Sequence, residues 1–156
     1  KYLYYEFLFK PLVRKTQQQM EEFEKQQKDK KLVMFHKTLS EQGGYGEEQL
    51  LSAFRSVEVI LDVVEDQLNA DKYLLGGDVQ LADLSLFPNI YRLQQMGYPL
   101  QERKQIRRWL IAMKKRESYR IAIAQFEPVK LLVFCASYRL FRRVQGNSIS
   151  HLAERA

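Results

Sequence analysis

Apolar residues recur at intervals of three and four through most of the chain, and no useful stretch alternates apolar and polar with a period of two. The longest stripe is Leu50, Leu51, Phe54, Val57, Ile60, Leu61, Val64 and Leu68. It predicts a helix from Glu47 to about Leu68, with acids in the first turn where the helix dipole favours them. A second helix is predicted from Leu81 to about Met96, stopped by Gly97 with Pro99 two residues on. A third, from about Glu102 to Arg116, has Ile106, Trp109, Leu110 and Met113 as its inner face.

Upstream, Tyr2 to about Lys37 carries Leu3, Phe7, Leu12, Val13, Met20 and Phe23 at helical spacing around a polar middle, TQQQMEEFEKQQKDKK. One bent helix or two stacked ones would fit. Ser118 to Gln125 reads as a short helix, and Pro128 opens a last one through about Val144. The clearest break is SEQGGYG, Ser40 to Gly46, with three glycines in seven residues. Asn69 to Val79 reads as a loop with a Tyr73-Leu74-Leu75 anchor. The class is all-α, a bundle of about five to seven helices.

Composition narrows this further. A chain of 156 residues with 46% hydrophobic content supports one core. There is no apolar run of about 18 residues, as a membrane-spanning helix needs. The opening KYLYYEFLFK mixes aromatics with charge and is not a signal peptide pattern. The single Cys135 excludes an internal disulfide and suits a reducing, cytoplasmic compartment. The start at Lys1, already inside a helical pattern, is expected of a piece of a longer protein.

The net charge of +6 is unevenly spread. Arg103 to Arg143 holds twelve Lys/Arg against only Glu117 and Glu127, whereas residues 1 to 102 hold twelve basic against sixteen acidic. We therefore expect a helical domain over 1–127 and a basic amphipathic helix and tail over 128–156, docked on that domain.

The acid that stands out is Asp83, in YLLGGDVQLADLSLFP. With Gln80 as N-cap, Asp83 is the third helical residue, where a carboxylate reaches back to the cap's own N–H and sits in the positive end of the dipole. Val79, just before the cap, is expected to staple onto Leu84. This describes a structural lock rather than a catalytic acid. His36 and His151 cluster with neither acids nor Cys135, so no metal site is expected. Cys135, in LLVFCAS, reads as a core thiol.

The order of YLLGGDVQLADLSLFP resembles the signature of the C-terminal all-helical domain of glutathione S-transferases. The similarity extends upstream to the Tyr-rich opening with Pro11, and downstream to Gly97-Tyr98-Pro99 and Ile106-Arg107-Arg108-Trp109 with Met113 and Arg116, covering about Tyr2 to Ala124. Its Ala-Asp, Phe-Pro and Gly-Tyr order is closer to theta- or rho-like members. One departure is Gln80, where the family usually has Ser or Thr, whose hydroxyl closes the other half of the capping box.

The resemblance implies that glutathione, the co-substrate, is held mainly by a preceding thioredoxin-like domain that this chain does not contain. That domain would activate the thiol by favouring its thiolate. No catalytic residue is expected here. The helical half would supply a dimer interface and part of the pocket for small hydrophobic electrophiles. On the first helix, Tyr2, Tyr5 and Phe9 share a face and align with family positions that line that pocket. From a last helix folded back over it, Phe134 and Tyr138 would join them. The same rings could equally be core packing.

The tail segment PVKLLVFCASYRLFRRVQ has Leu131, Phe134, Tyr138 and Phe141 as one stripe, flanked by Lys130, Arg139, Arg142 and Arg143. Docking on the domain is expected first, and a membrane surface second. Nucleic acid is disfavoured, because no aromatics interleave the basic face. Two functions remain open: the helical half of a detoxifying, homodimeric transferase, or a non-catalytic protein-interaction module of the kind appended to translation factors and aminoacyl-tRNA synthetases.

Overall fold

The structure, a computed structural model, describes residues 2–40 and 44–156. Part of the expected break at Ser40 to Gly46, namely residues 41–43, lies outside them. Helical segments follow one another as α1 (Tyr2–Tyr4), a π-helical turn (Tyr5–Phe9), α2 (Lys10–Val13), α3 (Gln17–Gln26), α4 (Lys30–Ser40) and α5 (Glu47–Ala70). They continue as α6 (Leu81–Gln95), α7 (Lys104–Lys114), α8 (Glu117–Ala122), a 3-10 turn (Ala124–Phe126), α9 (Val129–Val144) and α10 (Ile149–Ala153). There is no strand among the described residues, and the fold is all-α.

The core lies where α5, α6 and α7 meet the first helix. Trp109, Ile106 and Leu68 have no exposed surface, and Leu3, Leu8, Leu61, Ile90 and Leu110 are nearly as deep. The α7 stripe is buried as its spacing predicts, whereas on α5 Ile60 stays exposed beside Val59 and Val63. Ile60 is one residue from Leu61, about 100° around the helix, which carries it off the buried face. Leu12, in the short α2, is exposed as well.

Local chemistry sets the ends. The expected bent or double helix before residue 40 is instead interrupted twice. Thr16 starts α3 with a complete capping box, its hydroxyl accepting from Gln19 N at 3.3 Å while Gln19 Oε1 accepts from Thr16 N at 3.0 Å. The N-terminus of α7 is capped from α5 instead, where Glu65 accepts from the amides of Gln105 and Ile106 at 2.8 and 2.9 Å. Helix α6 ends in a Schellman motif. Gly97, at φ +83, lets Tyr98 N reach Leu93 O at 3.0 Å and Gly97 N reach Gln94 O at 3.1 Å. The short α10 has no counterpart in the sequence reading. It holds itself down with buried Ile149 and Leu152.

Candidate functional site

Asp83 sits at the start of α6 with no exposed surface. Its Oδ2 accepts from Gln80 N at 3.0 Å, and its Oδ1 accepts from Leu74 N at 3.1 Å and from Trp109 Nε1 at 2.7 Å. One carboxylate thus joins the 73–76 turn, the head of α6 and the middle of α7. All its partners are N–H donors, so the charge is answered by hydrogen bonds rather than a cation. The Gln80 side chain faces the Asp83 amide in capping-box fashion but makes no cap hydrogen bond. That amide donates to the Gln80 carbonyl at 3.1 Å. Val79 packs against the core, but Leu84 is 46% exposed, so the expected staple is not a buried one. In the neighbouring turn Tyr73 and Leu74 are buried, while Leu75 points to solvent.

The aromatic face expected on the first helix is engaged with its neighbours. Tyr5 meets Phe35 edge-on at 4.4 Å and Phe9 at 6.1 Å, and Tyr2 meets Tyr45 at 4.8 Å, with Tyr45 in turn 6.2 Å from Phe35. Phe134 and Tyr138 stack on each other at 6.3 Å on α9. Among the described residues no ring contact joins the two groups. A cleft of about 670 Å³ between α9 and the loop after α6 is lined by none of the five. Its charged lining is basic, with Arg107, Arg139 and Arg143, and it includes no acid.

Between the two aromatic groups lies a charged cluster that spacing alone did not reveal. Glu6, in the π-helical turn, is only 4% exposed. Its Oε1 accepts from Lys10 Nζ at 2.7 Å and from Arg142 Nη1 at 3.0 Å, and its Oε2 accepts from Tyr45 N at 3.4 Å. The Arg142 guanidinium lies 4.8 Å over the Phe7 ring. Tyr138 donates to the Glu6 carbonyl at 3.4 Å, and burial raises the pKa of its phenol above the usual tyrosine value. The Glu6–Lys10 spacing of four was visible as a helical pair; Arg142, 136 residues away, was not.

A second clamp forms at Glu127, one of only two acids between Arg103 and Arg143. Its carboxylate accepts from Tyr91 Oη at 2.7 Å, Arg92 Nη1 at 2.5 Å and Gln95 Nε2 at 3.1 Å, fixing the turn before α9 onto α6. Burial, then the hydrogen bonds with Tyr119 and Glu127, push the Tyr91 phenol far up.

The docked face of α9 is Leu131, Phe134, Cys135 and Tyr138. Phe141, expected in that stripe, is exposed instead, because it lies roughly 60° around the helix from Tyr138 and beyond the contact. Cys135 is buried, and burial raises its thiol pKa, which suits an inert core group. His36 packs edge-on to Phe23, and His151 pairs its Nδ1 with Ser148 Oγ at 2.8 Å. No group of three or more His, Cys, Asp or Glu fit to hold a metal occurs among the described residues.

The class of protein is therefore an all-helical domain in which one buried carboxylate pins a helix start to its neighbours. Residues 44–112 match the family model "Glutathione S-transferase, C-terminal domain", and this part of the chain is such a domain. The match holds Asp83, Trp109 and the Gly97 turn, but Tyr2, Tyr5, Phe9, Phe134 and Tyr138 lie outside it. No curated protein and no solved structure matches the chain significantly.

Proposed function

We propose that this chain is the helical half of a glutathione S-transferase, forming the outer wall of an electrophile pocket and part of a homodimer interface in a cytoplasmic enzyme. Glutathione would be held by a preceding thioredoxin-like domain, and small hydrophobic electrophiles would be conjugated there. The observation that carries this reading is the family match over 44–112 together with the Asp83–Trp109 lock at its centre. The test is the whole gene product, assayed for conjugation of glutathione to a chlorodinitrobenzene electrophile. Tyr5→Ala and Tyr138→Ala are expected to raise the electrophile KM by about three- to tenfold while leaving the glutathione KM unchanged. An unchanged electrophile KM would remove these residues from the pocket.

A second reading, a non-catalytic interaction module, is favoured by one observation. Tyr2 and Tyr5 are already engaged with Tyr45 and Phe35, as packing rings would be. Absence of both a thioredoxin-like segment and conjugation activity in the whole gene product would transfer the function to it.

A further inference from the structure

Helix α9 has two apolar faces. The inner one is docked, and Arg142 on it ends in the Glu6 ion pair. The outer one comprises Val129, Leu132, Val133, Ala136, Leu140 and Val144, which at 100° per residue fall within about a third of the circumference. All six are exposed, Val129 to 74%, Leu140 to 63% and Val144 to 80%, and Phe126 just before the helix is 71% exposed. Nothing among the described residues covers this stripe. Contiguous apolar surface of this kind marks an interaction face.

The borders of the stripe say which kind. Lys130 stands on one side and Arg139 on the other, and Arg143 falls just inside the stripe on the Arg139 side, all exposed. The two arginines also line the acid-free cleft with Arg107. From Pro128 to Ala153 the chain contains no Asp or Glu. An apolar stripe edged by uncompensated cations is the pattern of a helix lying in a lipid interface.

We propose that the outward face of α9 docks on an anionic lipid surface. The stripe enters the headgroup boundary by about 5–10 Å, while Lys130, Arg139 and Arg143 meet lipid phosphates and the arginine cleft receives a headgroup. The helix lies along the surface and does not cross it. Among the described residues no single helix is long and apolar enough to span, and the pair Glu117–Phe126 and Val129–Val144 is bent by 76°. The inner face of α9 is also tied to Glu6, which holds the helix on the bundle. A second copy is the poorer occupant, because two-fold pairing of the stripes would bring cationic borders together without an acid to answer them.

The experiment is co-sedimentation of the chain with vesicles of phosphatidylcholine alone and with about one-third phosphatidylserine. Binding to the anionic vesicles should be at least about tenfold stronger, and should fall at about 0.5 M salt as the charges are screened. Val133→Gln with Leu140→Gln, and separately Lys130→Gln with Arg143→Gln, change only exposed side chains. Each pair should lose at least about tenfold in vesicle binding with circular dichroism and melting unchanged. Equal binding to neutral vesicles, or binding that survives both double variants, overturns the proposal. So does binding of inorganic phosphate without vesicle binding, and so does a dimer that the Val133→Gln, Leu140→Gln pair abolishes, which would make the occupant a second copy.

Discussion

The indole N–H of Trp109 donates to Asp83 Oδ1 at 2.7 Å, and neither residue exposes any surface. The bond spans 26 residues of sequence and fastens α7 to the head of α6. With Leu74 N on the same oxygen and Gln80 N on the other, three elements depend on one carboxylate.

Asp83→Ala should therefore be the most damaging single substitution in the domain. It leaves three N–H donors without an acceptor, two of them bonded in the buried interior, at an expected cost of about 3–5 kcal/mol. Asp83→Asn keeps Oδ1 for Leu74 and Trp109 but turns an NH₂ toward Gln80 N, and should cost less. Urea denaturation would measure both; a loss below about 1 kcal/mol for Asp83→Ala would show that the three bonds do not act together.

Gln80→Ser supplies a hydroxyl short enough to accept from the Asp83 amide, as Thr16 does from Gln19. Because that amide already reaches the Gln80 carbonyl, a gain near the low end, about 0.5–1 kcal/mol, is expected. A thermal melt with no upward shift would mean that the cap is already satisfied.

Glu6→Gln should loosen α9 from the first helix. The change leaves Lys10 and Arg142, both largely buried, without their shared counter-charge, at an expected cost of about 2–4 kcal/mol. Limited proteolysis would then cut near Val144 sooner than in the parent; equal cutting rates would place the grip on α9 elsewhere. Gly44→Ala attacks the same cluster from outside. Gly44 sits at φ +129, and an added Cβ would come within 2.4 Å of Glu6 Oε2. A destabilisation of about 1–3 kcal/mol is expected by chemical denaturation.

Stability should fall on the alkaline side. Burial first, then Tyr2, Tyr5 and Glu6, push the Tyr45 phenol up to about 12, and burial raises Tyr91 and Tyr98 as well. Below about pH 10, the unfolded value, folded and unfolded phenols are all protonated and the contribution is whole. As the pH rises from there, the unfolded chain loses these protons while the native one keeps them, so stability declines through the raised native values. Urea midpoints at about pH 9 and 11, with phenolate absorbance followed in parallel, would check this. A midpoint unchanged between the two would contradict it.

Much of the fold is legible in the chain because helical periodicity, end signals and capping are local. The stripe Leu50 to Leu68, the stop at Gly97 and the carboxylate of Asp83 at the third helical position each follow from residues within a turn or two. The candidate site was less legible. Tyr5 and Phe9 do share a face, but only the approach of α4 brings Phe35 edge-on against Tyr5. Leu84 and Phe141 occupy apolar positions in the pattern yet stay exposed, because no neighbour reaches their side of the helix.

By itself the sequence determined that the chain is all-helical, where its central helices begin and end, and that Asp83 locks one of them. These depend on backbone hydrogen bonds and dipoles that neighbouring residues settle among themselves. Only the tertiary structure decided that the lock also holds Trp109, that Glu6 is shared by Lys10 and Arg142, and that α9 turns one apolar face inward and leaves another outside. Such contacts join residues tens to more than a hundred positions apart, and which faces meet depends on how whole helices pack.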